Sequence, residues 1–133
     1  MNILFICKAN RFRSRVAEAI FNHLNKNRKI DVSSAGVSLD PLRNYVAKEV
    51  IDVLKKDGIE MNDKKSRAVD SHLINWADKI IIVANNVDPN SFPSNKTEVW
   101  KIEDADESES EKINMIIKKI NKKTKDFLKT LKV

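Results

Sequence analysis

Asn2-Ile3-Leu4-Phe5-Ile6-Cys7-Lys8-Ala9-Asn10-Arg11-Phe12-Arg13-Ser14-Arg15-Val16-Ala17-Glu18 is the stretch on which the reading of the fold turns. Its unbroken apolar run over residues 2–6 predicts a short strand buried on both faces, ending at Cys7. From Ser14 onward Val16, Ala17, Ala19, Ile20 and Leu24 recur at helical spacing, with Ser14 placed to cap the first turn and Glu18 near its positive end. A strand, a short loop and a helix follow directly.

Working outward, residues 30–34 predict a second strand, broken at Ala35-Gly36 where the backbone has to turn. Asp40-Pro41 predicts a helix start, and Gly58 a stop after Lys55-Lys56-Asp57, with Val46, Val50, Ile51, Val53 and Leu54 between them. Asp70 or Ser71 begins a shorter helix reaching Trp76, and Lys79-Ile80-Ile81-Ile82-Val83 is a buried strand bounded by Asn85-Asn86. Residues 97–102 form the fourth strand. An acidic loop, Glu103-Asp104-Ala105-Asp106-Glu107, then leads to a long helix from about Ser110, whose stripe is Ile113, Ile116, Ile117, Ile120, Phe127, Leu128 and Leu131.

Strands alternating with helices predict an α/β three-layer sandwich, because parallel strands need crossovers that return over the sheet. Such sheets bind ligands at the carboxyl ends of their strands, where Cys7, the Asn85 turn and Asp104 all fall. At 133 residues the chain is expected to be one domain spanning 1–133. The formal charge of +6 gathers largely in the lysine-rich last helix, which reads as a solvated face; no aromatic pattern there supports a nucleic-acid binder. No apolar stretch is long enough for a signal peptide or a membrane span, so the expectation is a soluble, cytoplasmic protein with no membrane partner. One cysteine excludes an internal disulfide, and no Cys/His cluster has zinc-ligand spacing, so no cofactor or metal is expected.

Five residues separate Cys7 from Arg13. If Lys8, Ala9, Asn10, Arg11 and Phe12 curl round a phosphate, their backbone N–H groups form an anion nest at a helix N-terminus. Arg13 then closes the ring with a bidentate fork, and Ser14 donates its hydroxyl to sulfur. In that field a thiolate is favoured over a thiol, which makes Cys7 a nucleophile. The competing reading, a small buried hydrophobe at a strand end, is common for free cysteines, but it gives no reason for the loop's placement between buried strand and helix.

This loop, followed by Ala17-Glu18, resembles the signature of the low-molecular-weight protein tyrosine phosphatases. Ser34-Ala35-Gly36-Val37, Gly58-Ile59, Lys65-Ser66-Arg67, Ala77-Asp78-Lys79-Ile80-Ile81 and Trp100-Lys101-Ile102-Glu103-Asp104 are similar to later segments of that family, in the same order. The resemblance implies a flavodoxin-like, four-stranded parallel sheet of order 2-1-3-4 with helices on both faces. It also implies metal-free hydrolysis of phosphate monoesters, of a phosphorylated protein or a small molecule. Cys7 would form a phosphocysteine, residues 8–14 would bind phosphate, Asn10 would support the loop backbone, and Asp104 would act as general acid and then base.

Several positions depart from the family. Ala105 replaces the usual proline and the aromatics beyond it are missing, so Asp106 competes with Asp104 for the acid's role. Val37-Ser38-Leu39-Asp40 also lacks the aromatic of phosphotyrosine enzymes, whereas Lys8, Arg11 and Arg15 are expected to surround the pocket with charge that suits a polyanionic ester. Arg11 would repel a cationic phosphoarginine. Ala9 stands where glycine is usual, and Phe12 replaces a frequent second cysteine, which argues against arsenate reductases that relay electrons through several cysteines. Two alternatives stay open: a catalytically weak phosphate-binding or regulatory module, and an arsenate reductase using an external thiol. His23 and His72 are expected to be structural or exposed, and Trp76 and Trp100 to belong to the core.

Overall fold

The computed structural model describes residues 1–62 and 64–131. Four parallel strands, β1 (Asn2–Cys7), β2 (Asp31–Gly36), β3 (Lys79–Val83) and β4 (Thr97–Trp100), lie in the order β2-β1-β3-β4. Cys7 pairs with Gly36 in register, and Val83 with Trp100, so the carboxyl ends of all four strands share one edge. Successive β1 residues face opposite layers, as a strand requires. Ile3 and Phe5 meet α1 (Arg13–Leu24), α2 (Lys48–Lys56) and α4 (Ser110–Thr130), while Leu4 and Ile6 meet the layer that holds α3 (Ser71–Trp76).

The stripe read in α4 is the buried one: Ile113, Ile116, Ile117, Ile120 and Phe127 all face the sheet. Each such side chain contributes about 1.5–3 kcal/mol of burial. Phe127 packs edge-on against Trp100, with ring centroids 5.8 Å apart, and Phe5 and Phe21 complete the aromatic cluster. Trp76 is half-buried against the opposite core, and both histidines are exposed. Among the described residues no helix is long and apolar enough to cross a membrane.

Three local expectations are corrected. β2 does not break at Ala35-Gly36 but runs through both, because Gly36 is needed for close approach rather than for a turn. A Cβ on it would sit 2.8 Å from the Asn10 N and the Lys8 O. The second helix begins at Lys48, not near Pro41. Asp40 closes a local turn by accepting from the N–H groups of Leu42 and Arg43, and the next carbonyls, Asn44 O and Tyr45 O, are taken by Ser66 N–H and Arg11 Nε. Its end is as read: Gly58, at φ 73°, lets Ile59 N–H reach back to Leu54 O. Finally, Ser14 caps nothing, since α1 starts one residue before it, at Arg13, with Phe12 at the N-cap.

Candidate active site

Behind the loop between β1 and α1 the side chains of Ser14 and Asn10 are held by hydrogen bonds. Ser14 Oγ lies 2.9 Å from Cys7 Sγ, and both are buried. Asn10 adopts φ 53°, a left-handed conformation that asparagine tolerates better than most residues. Its side chain is oriented without ambiguity: a backbone N–H can only donate, and that of Arg67 donates to Asn10 Oδ1 at 2.9 Å. Asn10 Nδ2 therefore faces Ser14 Oγ at 2.8 Å and Ser34 Oγ at 3.0 Å. Ser14 accepts from Asn10, which leaves its own proton for the sulfur.

Four of the loop carbonyls are also occupied. Cys7 O accepts from Val37 N–H, Lys8 O from Ser38 N–H, Asn10 O from Ser66 Oγ and Phe12 O from Val16 N–H. Arg13, 1% exposed, donates to Ile102 O at 2.9 Å and to Asn86 Oδ1 at 3.0 Å, and its Nη2 stands 3.6 Å from Asp104 Oδ2. Asn86 was legible only as a strand boundary; its place at the carboxyl edge of β3 was the available signal.

Cys7, Ala9, Arg11, Phe12, Arg13 and Asp104 line one cleft of about 350 Å³, walled further by Ala47, Val50 and Ile113. Lys8 is exposed and does not line it. Asp104 is half-exposed, with Oδ1 accepting from Ala105 N–H. Asp106 also lines the cleft, but its carboxylate is held in the turn before α4 by Glu107 N–H and Ser108 Oγ.

At the mouth the structure supplies residues that the sequence did not single out. Arg11 pairs with Glu107 at 2.5 Å, donates through Nε to Tyr45 O, and lies 5.4 Å from the Tyr45 ring centroid. Arg43 reaches the same Glu107 oxygen at 3.7 Å. Tyr45 is thus an aromatic at the rim after all, brought there from a loop that the sequence reading had assigned to a helix. Arg15 is the opposite case. Expected at the pocket, it is 2% exposed and lies behind the loop, where Nη2 donates to Asn62 O, Asn62 Oδ1 and Lys64 O. Burial pulls its guanidinium below the ordinary range, and Glu18, with Nε 4.0 Å away, pulls it back. Burial likewise pushes Glu18 up, against the hydrogen bond from Ser34 Oγ at 2.7 Å. Among the described residues no group of acidic, histidine or cysteine side chains could hold a metal ion.

A four-stranded parallel sheet of this order, with a cysteine-and-arginine loop leading into its first helix, defines a class, and the chain belongs to it: the sequence pattern of the low molecular weight phosphotyrosine protein phosphatase family matches residues 2–133. Among curated relatives, an arsenate reductase of Brevibacillus brevis is 28% identical over 132 residues, which is 96% of this chain and 94% of that protein. The fold superposes on a low molecular weight protein tyrosine phosphatase from T. tengcongensis with a TM-score of 0.86, at 24% identity, covering 98% of this chain and 99% of the other. It also matches the YwlE arginine phosphatase from Geobacillus stearothermophilus, TM-score 0.83 at 23% identity, over 97% and 93% of the two chains.

Proposed function

We propose that the protein is a metal-free phosphate monoester hydrolase working through a phosphocysteine on Cys7. The observation that carries this reading is the convergence of Cys7, Arg13 and Asp104 on one cleft, with Ser14 against the sulfur. The carbonyls of Cys7, Lys8, Asn10 and Phe12 are held by other partners, which favours a loop whose N–H groups face a phosphate. Arg13 keeps donors beyond those spent on Ile102 and Asn86, and the incoming oxyanion takes them.

Cys7 thiolate attacks phosphorus as the ester P–O bond breaks, and Asp104 delivers a proton to the departing oxygen. The same group, now a carboxylate, takes a proton from water as that water's oxygen attacks phosphorus. The P–S bond breaks and Cys7 leaves as thiolate with orthophosphate. Asp104 is favoured over Asp106 because it stands beside Arg13, whereas Asp106 spends its carboxylate on the turn before α4.

The relatives named as arsenate reductases favour a second reading, since arsenate and phosphate share shape and charge. One cysteine cannot relay electrons within the chain, so that activity would draw on an external thiol. Purified protein is to be given an aryl phosphate without metal, and separately arsenate with a small thiol or thioredoxin, beside Cys7→Ser. Hydrolysis lost in the variant supports the phosphatase. Arsenate-dependent thiol oxidation without hydrolysis supports the reductase, and phosphate binding with neither reaction leaves the binding module.

A further inference from the structure

Arg15 is an expensive residue to bury, and the hydrolysis mechanism does not use it. It follows Ser14 in the first turn of α1, so its guanidinium sits behind the loop, on the side away from the cleft. Nη2 is clamped by three oxygens of Asn62 and Lys64, while Nη1 is sealed from solvent with no hydrogen-bond partner among the described residues. An uncompensated buried donor of this kind lowers stability. A methionine or leucine would fill the space without that cost. Glu18 answers the charge only partly, from 4.0 Å. Ser14, whose Oγ lies 2.9 Å from Cys7 Sγ, directly precedes Arg15 in the chain, and a negative Cys7 favours the charged guanidinium.

We propose that Arg15 is a positioning residue for the Cys7 thiolate: a cation fixed behind the phosphate loop, held partly unneutralised so that its field reaches the sulfur, with Glu18 as the counter-charge that limits it. Arg13 can then turn its remaining donors to the ester rather than to the sulfur. Among the described residues, the charges around the Arg15–Glu18 pair are Lys64 and Arg67 from the segment that covers α1, with Lys65 on the same small cleft. Those on the cleft side of Cys7 are Arg11, Arg13, Arg43, Asp104, Asp106 and Glu107. None of these changes in the variants below.

The inference rests on Cys7 working as a thiolate, and it can be tested without any phosphate ester. The chain has one cysteine, so alkylation by iodoacetamide and ultraviolet thiolate absorbance report Cys7 alone. In Arg15→Met the midpoint of alkylation rate against pH should rise by about half a pH unit or more. Glu18→Gln keeps an oxygen to accept from Ser34 but removes the counter-charge, so its midpoint should fall below that of the wild type, and an unmoved midpoint counts against the proposal. Arg15→Lys, which keeps the charge and loses the fork, should stay near the wild type even where its melting temperature drops. A purely structural role moves every variant upward together with its loss of stability, and that result overturns the proposal. So does an unmoved Arg15→Met. Should Arg15→Met fail to fold, the direction of Glu18→Gln decides alone. A wild-type midpoint like that of a free thiol would instead count against the thiolate reading itself.

Discussion

The back of the phosphate loop and the mouth of the cleft are built on opposite plans. Around the loop, Asn10, Ser14, Ser34 and the cleft-lining Arg13 are each at most 5% exposed and fixed by hydrogen bonds. At the mouth, Arg11 and Arg43 meet Glu107 through ion pairs that water reaches, which salt screens and which contribute about 0–1 kcal/mol each. The contrast teaches where each task sits. Gripping a tetrahedral anion needs fixed donors, whereas admitting an ester of variable shape needs contacts that part cheaply.

The most severe way to break the contrast is Arg13→Lys. Lysine cannot hold Ile102 O and Asn86 while presenting a fork, so kcat/KM for an aryl phosphate should fall by about 10³-fold or more. Asn10→Ala comes next: it removes both serine contacts and strains the positive φ, and should cost about 10²-fold in kcat together with roughly 2–3 kcal/mol in urea unfolding. Asp104→Asn is expected to lower kcat by about 10²-fold with an aryl ester of poor leaving group, and far less with an activated one. Asp106→Asn should stay within about twofold, and the reverse ranking would move the acid two residues along the chain. Glu107→Gln frees Arg11 and Arg43 and sharpens the comparison from the other side. KM for acidic phosphopeptides should drop severalfold, an effect that fades with added salt, while the melting temperature barely moves.

The smallest effect is on stability against pH. Burial raises the Glu18 carboxyl in the folded state above its unfolded value of about 4.5. As pH rises past that value the unfolded chain loses this proton first, so folding stability falls until the folded group ionises as well. Glu18→Gln should flatten that slope in urea titrations, leaving the rest of the curve unchanged.

The phosphate half of the site was legible because its information is local. Cys7, Asn10, Arg13 and Ser14 lie within eight residues, and the apolar run before them, with the helical period after, fixes how the loop is mounted. β3, α3 and α4 were equally readable from unbroken or periodic apolar patterns. The mouth was legible only at Arg11, expected at the pocket and found there; Arg43 and Glu107, which complete it, are far apart in sequence and individually look like solvated charges. Tyr45 was hidden by the same error that began the second helix too early: Asp40-Pro41 is a good start signal, but Asp40 spends it on a turn. Arg15 was misplaced because a helix's first turn carries neighbouring side chains to different sides, and only the covering segment at Asn62 and Lys64 shows which side is closed.

Gly36 carries a consequence for the history of such a chain. With a backbone nitrogen and a carbonyl oxygen each 2.8 Å from where a side chain would begin, no mutation there is conservative, not even to alanine. Its N–H and C=O are also committed, to Arg67 and Val69. Descendants of this sequence can therefore drift freely at the charged rim and alter what they accept, but every lineage that retains the loop is anchored to this one position on the neighbouring strand. Diversity in appetite and immobility in grip would then be inherited together.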